Sequence, residues 1–198
     1  MARGSTETKE RIVQAAGRLL ARDGYRAMGV NAIAEEAGAN KVLIYRYFGG
    51  LPGLLGTLAR AHPLWPMAST VLDSAPTLER ALYLAVLETG RLVREQPIAR
   101  EILLWELAER NEVTAELSAV RERETERLLA ALRARFPLPP FVDLPALHAV
   151  LSAALSYLAL RASDSAPTFT LSPSTDDGWR RIERTAAAVV RAAVGVVE

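Results

Sequence analysis

The sequence predicts an all-α protein in two parts: a three-helix head with a helix-turn-helix over residues 1–50, and a body of about six helices over residues 51–198. Three observations predict it. Long Ala/Leu/Arg/Glu stretches are cut by proline clusters, and the strict apolar/polar alternation of a half-buried strand is missing. Half of the 198 residues are apolar, enough for a real core without covalent staples. Charge is also unevenly spread. Residues 1–50 carry eight basic and five acidic side chains, a net of +3, so the rest must carry −2 to reach the overall +1.

Taken in order, the first helix is expected over Thr8–Arg22, with Ile12, Ala15, Ala16, Leu19 and Leu20 on one face and Gly24 ending it. Two short helices follow at Val30–Ala37 and Lys41–Tyr47. A fourth begins near Leu51 and is stopped by Pro63 and Pro66. Asp73 or Ser74 can cap the next, Thr77–Glu95, with Pro76 in its first turn and Leu78, Leu82, Ala85, Thr89 and Leu92 turned inward. Pro97 separates it from Ile98–Arg110. A longer helix, Val113–Arg135, faces inward with Val113, Leu117, Val120, Glu124, Leu128 and Leu132. After the break at Pro137-Leu-Pro-Pro come a helix at Leu144–Arg161 and a polar loop. Ser174-Thr-Asp-Asp177 then opens the last helix in the manner of a capping box, and that helix runs to about Val197.

Composition excludes several functions. Cysteine is absent, which removes disulfides, thiolate metal sites and thiol nucleophiles. His62 and His148 stand alone, so no metal or other cofactor is expected. The polar N-terminus lacks a signal-peptide run, and no stretch reaches about eighteen uninterrupted apolar residues, so a cytoplasmic protein with no membrane partner is expected. No Gly-x-Ser-x-Gly, P-loop or Rossmann fingerprint occurs and the carboxylates are dispersed among arginines, so the chain is not expected to be an enzyme.

Residues 30–48 have what a helix-turn-helix requires. Ala34 supplies the small residue where the two helices cross, Gly38 the positive φ of the turn, and Ile33, Ala37, Ala39 and Ile44 the packing positions. Asn40 can cap the second helix and aim its positive end at phosphate. In the major groove Lys41, Val42 and Leu43 would face bases or backbone, the apolar pair could meet thymine methyl groups, and Arg46 could reach guanine or phosphate. The Tyr45 and Tyr47 hydroxyls would fix register on phosphate. An ordinary helical hairpin has the same small residue and glycine.

The wider context resembles the TetR family of transcriptional regulators. The resemblance rests on Ile12-Val-Gln-Ala-Ala16, Gly24-Tyr-Arg-Ala, Ile33-Ala-Glu-Glu-Ala-Gly38, Ile44-Tyr-Arg-Tyr-Phe48 and Leu54-Leu55, and covers a quarter of the chain. It departs from the family's pattern at three places. Met28-Gly29 stands where paired threonines are usual, so Gly29 is the cap; Val42-Leu43 replaces Gly-Thr; and Leu51-Pro52 replaces a lysine-glutamate pair, taking away a phosphate-binding lysine. Affinity should then lean on Arg26, Lys41 and Arg46, with a shallower salt dependence.

The resemblance implies a ligand-responsive repressor that binds a near-palindromic double-stranded operator as a homodimer and is released by a small-molecule effector. It implies a pairing of the last two long helices, with Leu147, Leu151, Ala154, Leu158, Ala186, Val189, Val190 and Ala193 as interface candidates; the same faces could be the protomer's own core. Effector candidates are Trp65, Met67, Tyr83, Trp105, Glu124 and His148, with Phe141 and Tyr157 as further possibilities. Glu124 could instead pair with Arg121 or Arg127. The alternative is a helical protein-interaction module that has lost specific DNA binding.

Overall fold

The computed structural model describes residues 2–62, 64–163 and 167–195, with side chains from Ser5 onward. Pro63 and Val197 lie outside the described residues. The helices are α1 (Ala2–Asp23), α2 (Val30–Glu36), α3 (Lys41–Phe48), α4 (Leu51–Ala61), α5 (Ala68–Asp73), α6 (Leu78–Glu95), α7 (Pro97–Ala108), α8 (Glu112–Arg135), α9 (Leu144–Arg161) and α10 (Asp176–Val194), with a 3₁₀ turn at Tyr25–Ala27. Among the described residues the β-type pairing is confined to an isolated bridge between Thr168 and Leu171. The fold is all-α, as predicted.

Packing groups the helices into two compact units, Met1–Leu64 with Pro97–Glu122, and Trp65–Gln96 with Arg123–Glu198. The first unit joins the helix-turn-helix, α4, α7 and the start of α8, a grouping not visible in the boundary at residue 50. Its core is built from Ile12, Ala15, Ala16 and Leu20 of α1, Ile33 of α2, Ile44 of α3, and Leu54, Leu55 and Leu58 of α4, all buried. Gly17 lets α1 approach its neighbours: a Cβ there would meet Leu58 at 3.3 Å and Ile98 at 3.4 Å. Tyr25 is gripped by α7. Its ring stacks on Trp105 at 5.7 Å and its N–H donates to Glu101 Oε2 at 3.1 Å. Glu106 of α7 pairs with Arg121 of α8, while its Oε1 is buried with no hydrogen-bond partner among the described residues. Burial pushes the Glu106 carboxyl up, and Arg121 opposes that shift.

In the second unit α6 lies against α9 and α10. Gly90 marks the close approach, since a Cβ there would sit 3.0 Å from Leu155 Cβ and 3.4 Å from the Trp179 ring. Trp179, Ile182, Ala186 and Val190 form the buried stripe of α10. Arg94 lies over the Trp179 ring at 5.0 Å.

Four boundaries differ from expectation. α1 begins at Ala2 instead of Thr8. The short α5, which buries Val71, falls in a stretch with too few turns to show periodicity. α6 is capped by Thr77, whose Oγ1 accepts from Arg80 N at 3.2 Å; Asp73 and Ser74 are not its cap and Pro76 precedes the helix. At α10 the cap is Thr175, accepting from Gly178 N at 3.1 Å. By length and composition α9 could cross a membrane, although a mere 28% of it is buried in the protein. Its exposed apolar surface therefore needs an account.

Candidate nucleic-acid interface

The α2–α3 pair is fixed by two local devices and by a contact from α1. Gly38 takes φ +56°, the left-handed conformation that L side chains resist, and the chain turns tightly enough for Ala39 N to donate to Ala34 O at 2.9 Å. Arg11 Nε donates to Ala37 O at 3.1 Å, satisfying a carbonyl at the end of α2. Asn40 Oδ1 accepts from Val42 N at 2.9 Å, so the expected cap is formed and that oxygen is occupied. Gly29, by contrast, caps α2 through extended backbone with no side-chain bond.

The far end of α3 is equally constrained. Gly49 closes it at φ +75°, Gly50 continues at φ +127°, and a Cβ on Gly53 would fall 1.9 Å from Phe48 O. The Gly-rich Phe48–Gly53 link is thus a steric necessity of the tight passage into α4. Leu51-Pro52 occupies the first turn of α4, where proline's missing N–H has no helical partner to lose.

With α3 set this way, Ile44 is buried, Leu43 and Tyr47 are half-buried, and Lys41, Val42, Tyr45 and Arg46 form the solvent face. Neither Lys41 nor Arg46 has an ion-pair partner among the described residues. Other head cations are committed. Arg18 and Arg22 both bond Glu36, at 3.1 Å each, and Arg22 also bonds Asp23 at 2.8 Å. These arginines hold the Glu36 and Asp23 carboxyls below their ordinary values. Arg26 folds back on Tyr25, with Nε 3.4 Å from the Tyr25 hydroxyl and the guanidinium over its ring. Lys9 Nζ lies 5.2 Å over the Tyr47 ring, and Phe48 meets that ring edge-on. The sequence reading missed this use of Lys9, Glu36 and Tyr25, because each acts across helices and none lies on a repeating pattern.

Such a face has the chemistry for duplex DNA: two cations and a phenol that suit phosphate or base edges, around one apolar side chain that can reach base edges.

The effector candidates are divided between the two units. Trp105 belongs to the first unit, buried against Tyr25 with Nε1 donating to Glu109 at 3.1 Å. In the second unit, Trp65 keeps its Nε1 buried with no partner among the described residues, and Tyr83 lies under Arg80 with its pKa raised by burial. His148 is buried 3.4 Å from Ser152 Oγ, Met67 is exposed, and Glu124 pairs with Arg127 on its own helix.

For the proposed pairing surface the structure corrects three residues. Leu151, Ala186 and Val190 are buried within the protomer, because α6 packs against that side of α9 and α10. Leu147, Leu158 and Ala193 are half-buried, while Ala154 and Val189 are exposed. The exposed apolar surface of α9 is formed by Ala146, Ala149, Val150, Ala153, Ala154 and Tyr157, so that of the four residues expected there Ala154 is fully exposed.

Residues 12–55 match the family of bacterial regulatory proteins known as tetR. Over 127 residues the chain is 29% identical to the HTH-type transcriptional regulator Rv1255c of Mycobacterium tuberculosis, covering 60% of this chain and 63% of that relative. It thus spans less than two thirds of the curated relative's length. In fold it is similar to the fatty acid degradation regulator FadR of Bacillus halodurans, at TM-score 0.64 and 17% identity over 96% of each chain. It is similar, too, to NalD of Pseudomonas aeruginosa, the secondary repressor of the MexAB-OprM multidrug efflux pump. That match has TM-score 0.59 and 22% identity, over 98% of this chain and 100% of that one. The match to the tetR family of bacterial regulatory proteins thus lies on the head helices, including the one whose solvent face carries Lys41 and Arg46, and the whole chain is similar in fold to regulators of that kind.

Proposed function

We propose that the protein is a cytoplasmic repressor that binds a near-palindromic operator as a homodimer and leaves it when a small molecule binds the body. The observation that carries the reading is the division of labour among the head's cations: Arg18 and Arg22 serve the scaffold, while Lys41 and Arg46 stand on α3 with no ion-pair partner among the described residues. Charges left unpaired on one helix face supply phosphate affinity through counterion release. NalD, a repressor of the same fold, supports the direction of regulation.

A second subunit accounts for the exposed stripe of α9, continued on α10 by Ala188, Val189 and Ala192. Small residues at helical spacing permit close helix–helix approach, and a two-fold pair of heads places two recognition helices about one DNA turn apart. In the body, a buried indole N–H without an acceptor among the described residues makes Trp65 the leading effector contact, with Tyr83 and His148 in the same unit. The effector acts by binding better to a dimer whose heads do not fit the operator.

The test is a mobility shift with DNA from upstream of the protein's own gene, at low and moderate salt. A specific shift is expected, and Lys41→Ala with Arg46→Ala should weaken binding on all sequences and reduce the salt slope by about two. Absence of a specific shift at either salt would favour a protein-interaction module. Light scattering decides the dimer, and binding to lipid vesicles in place of dimerisation would assign the α9 stripe to a membrane surface.

A further inference from the structure

The solvent face of α3 has an unusual centre. Val42, on its first turn, is 60% exposed, whereas Leu43 is half-buried and Ile44 fully buried. Lys41 precedes it, and Tyr45 and Arg46 follow one turn later on the same face. The turn that carries Val42 is pinned by Asn40, whose side chain holds the Val42 N–H. A β-branched side chain in a helix has one strongly preferred χ1, so its two methyl groups are presented in a fixed direction.

An isopropyl group has no donor or acceptor. In the major groove it cannot recognise the guanine acceptors, the adenine pair or the cytosine amine, and the single feature it complements is the 5-methyl group of thymine. A 5-methylcytosine carries the same methyl at the same ring position. Leu43 is half-buried, which leaves Val42 as the apolar side chain of this helix best placed to reach a base edge.

We propose that Val42 reads the 5-methyl group of a pyrimidine in each operator half-site, so that a methyl contact contributes to this protein's DNA specificity beside any hydrogen bonds that Lys41 and Arg46 make to base edges. The proposal rests on α3 being the DNA-reading helix. Burying one methyl-sized group contributes about fourfold in affinity, hence about fifteenfold for two symmetric half-sites.

The experiment uses the full chain. Its preferred duplex is recovered by selection from a random pool, and each thymine is replaced in turn by uracil, which removes the 5-methyl group and keeps every hydrogen bond. Fluorescence anisotropy at fixed salt should show about a fourfold loss at one thymine per half-site. Val42→Ala should bring the thymine/uracil ratio at that position to about one, while Val42→Ile should preserve it. With a C·G pair there, 5-methylation of the cytosine should raise affinity by the same factor. A flat uracil scan on a specifically bound duplex, or discrimination that survives Val42→Ala in a protein with unchanged circular dichroism, overturns the proposal and leaves DNA binding standing. Failure to select any preferred sequence overturns both.

Discussion

The helix-turn-helix and the α9–α10 pair are both helical, yet their helix faces are assigned by different physics. In the head, α2 and α3 are each about two turns long, and a residue's direction follows from local devices: the left-handed Gly38, the Asn40 cap and the left-handed Gly49. In the pair, direction depends on what packs against each helix. α9 is apolar on nearly every side, and α6 claims the face containing Leu151 and Leu155 while Val150 and Tyr157 stay outside. A helix held by its ends can be phased from its own residues; one held by its neighbours cannot.

The strongest way to break this comparison is a charge on either side of the pair. Val190→Asp places a carboxylate where the side chain is 0% exposed, and an uncompensated buried charge costs about 3–5 kcal/mol. That is a large part of a typical total of about 5–15 kcal/mol, so the helical circular dichroism signal should melt far below wild type. Val150→Asp, at a position 67% exposed, should leave the melt of the isolated protomer unchanged and reduce dimer mass in light scattering. A Val150→Asp protein that unfolds, or a Val190→Asp protein that is folded and monomeric, would reverse the assignment of the two faces.

Next in size is the head's own core. Ile44 is fully buried between α3 and its neighbours, and Ile→Ala at such a site costs about 2–5 kcal/mol. Ile44→Ala should therefore shift the denaturant midpoint strongly and weaken operator binding through loss of the folded head. Equal stability with lost binding would mean that Ile44 acts on DNA and not as scaffold.

These contrasts explain what could be read before the structure. The order of helices, the Gly38 turn, the Asn40 cap and the α1 face of Ile12, Ala15, Ala16, Leu19 and Leu20 were all legible, because each depends on residues within a turn or two. On α9 Leu147, Val150, Leu151, Ala154 and Leu158 are all apolar, so no periodic signal separates the buried Leu151 from the exposed Val150 and Ala154. Thr77 was passed over as a cap because Pro76 also suits a first turn, and the choice depends on backbone not written in the residues. The pairing of Arg18 and Arg22 with Glu36 depends on α1 crossing α2, so the separation of scaffold cations from free ones was out of reach.

A smaller effect distinguishes electrostatics in the first unit. The Glu106 carboxyl is raised above its ordinary 4.5 chiefly by burial, so the folded protein keeps a proton that the unfolded chain has released. Its contribution to stability is therefore greatest at and below about pH 4.5 and declines as pH rises from there through the raised folded value. Glu36 and Asp23, held below their ordinary values, contribute in the opposite sense, with stability lost as pH falls. Denaturant unfolding of Glu106→Gln should show stability declining less than wild type on the alkaline side and unchanged acid sensitivity from Glu36 and Asp23. A parallel pair of curves would mean that Glu106 is not titrating in that range.

The least disruptive test sharpens the contrast at a single atom. Asn40 Oδ1 holds the Val42 N–H at 2.9 Å, so its work is to start α3, and replacing such a cap by alanine costs about 1 kcal/mol. Asn40→Ser keeps an oxygen in reach of the first turn and should recover most of that loss, because Ser and Asn cap helices about equally well. If Asn40 serves DNA by holding the helix, operator affinity should follow stability across the series: reduced in the alanine protein and nearly restored in the serine one. If its amide instead touches a base or phosphate, the serine protein should melt like wild type and still bind weakly. Thermal denaturation and anisotropy on the same two proteins separate a residue that positions the reading helix from one that reads.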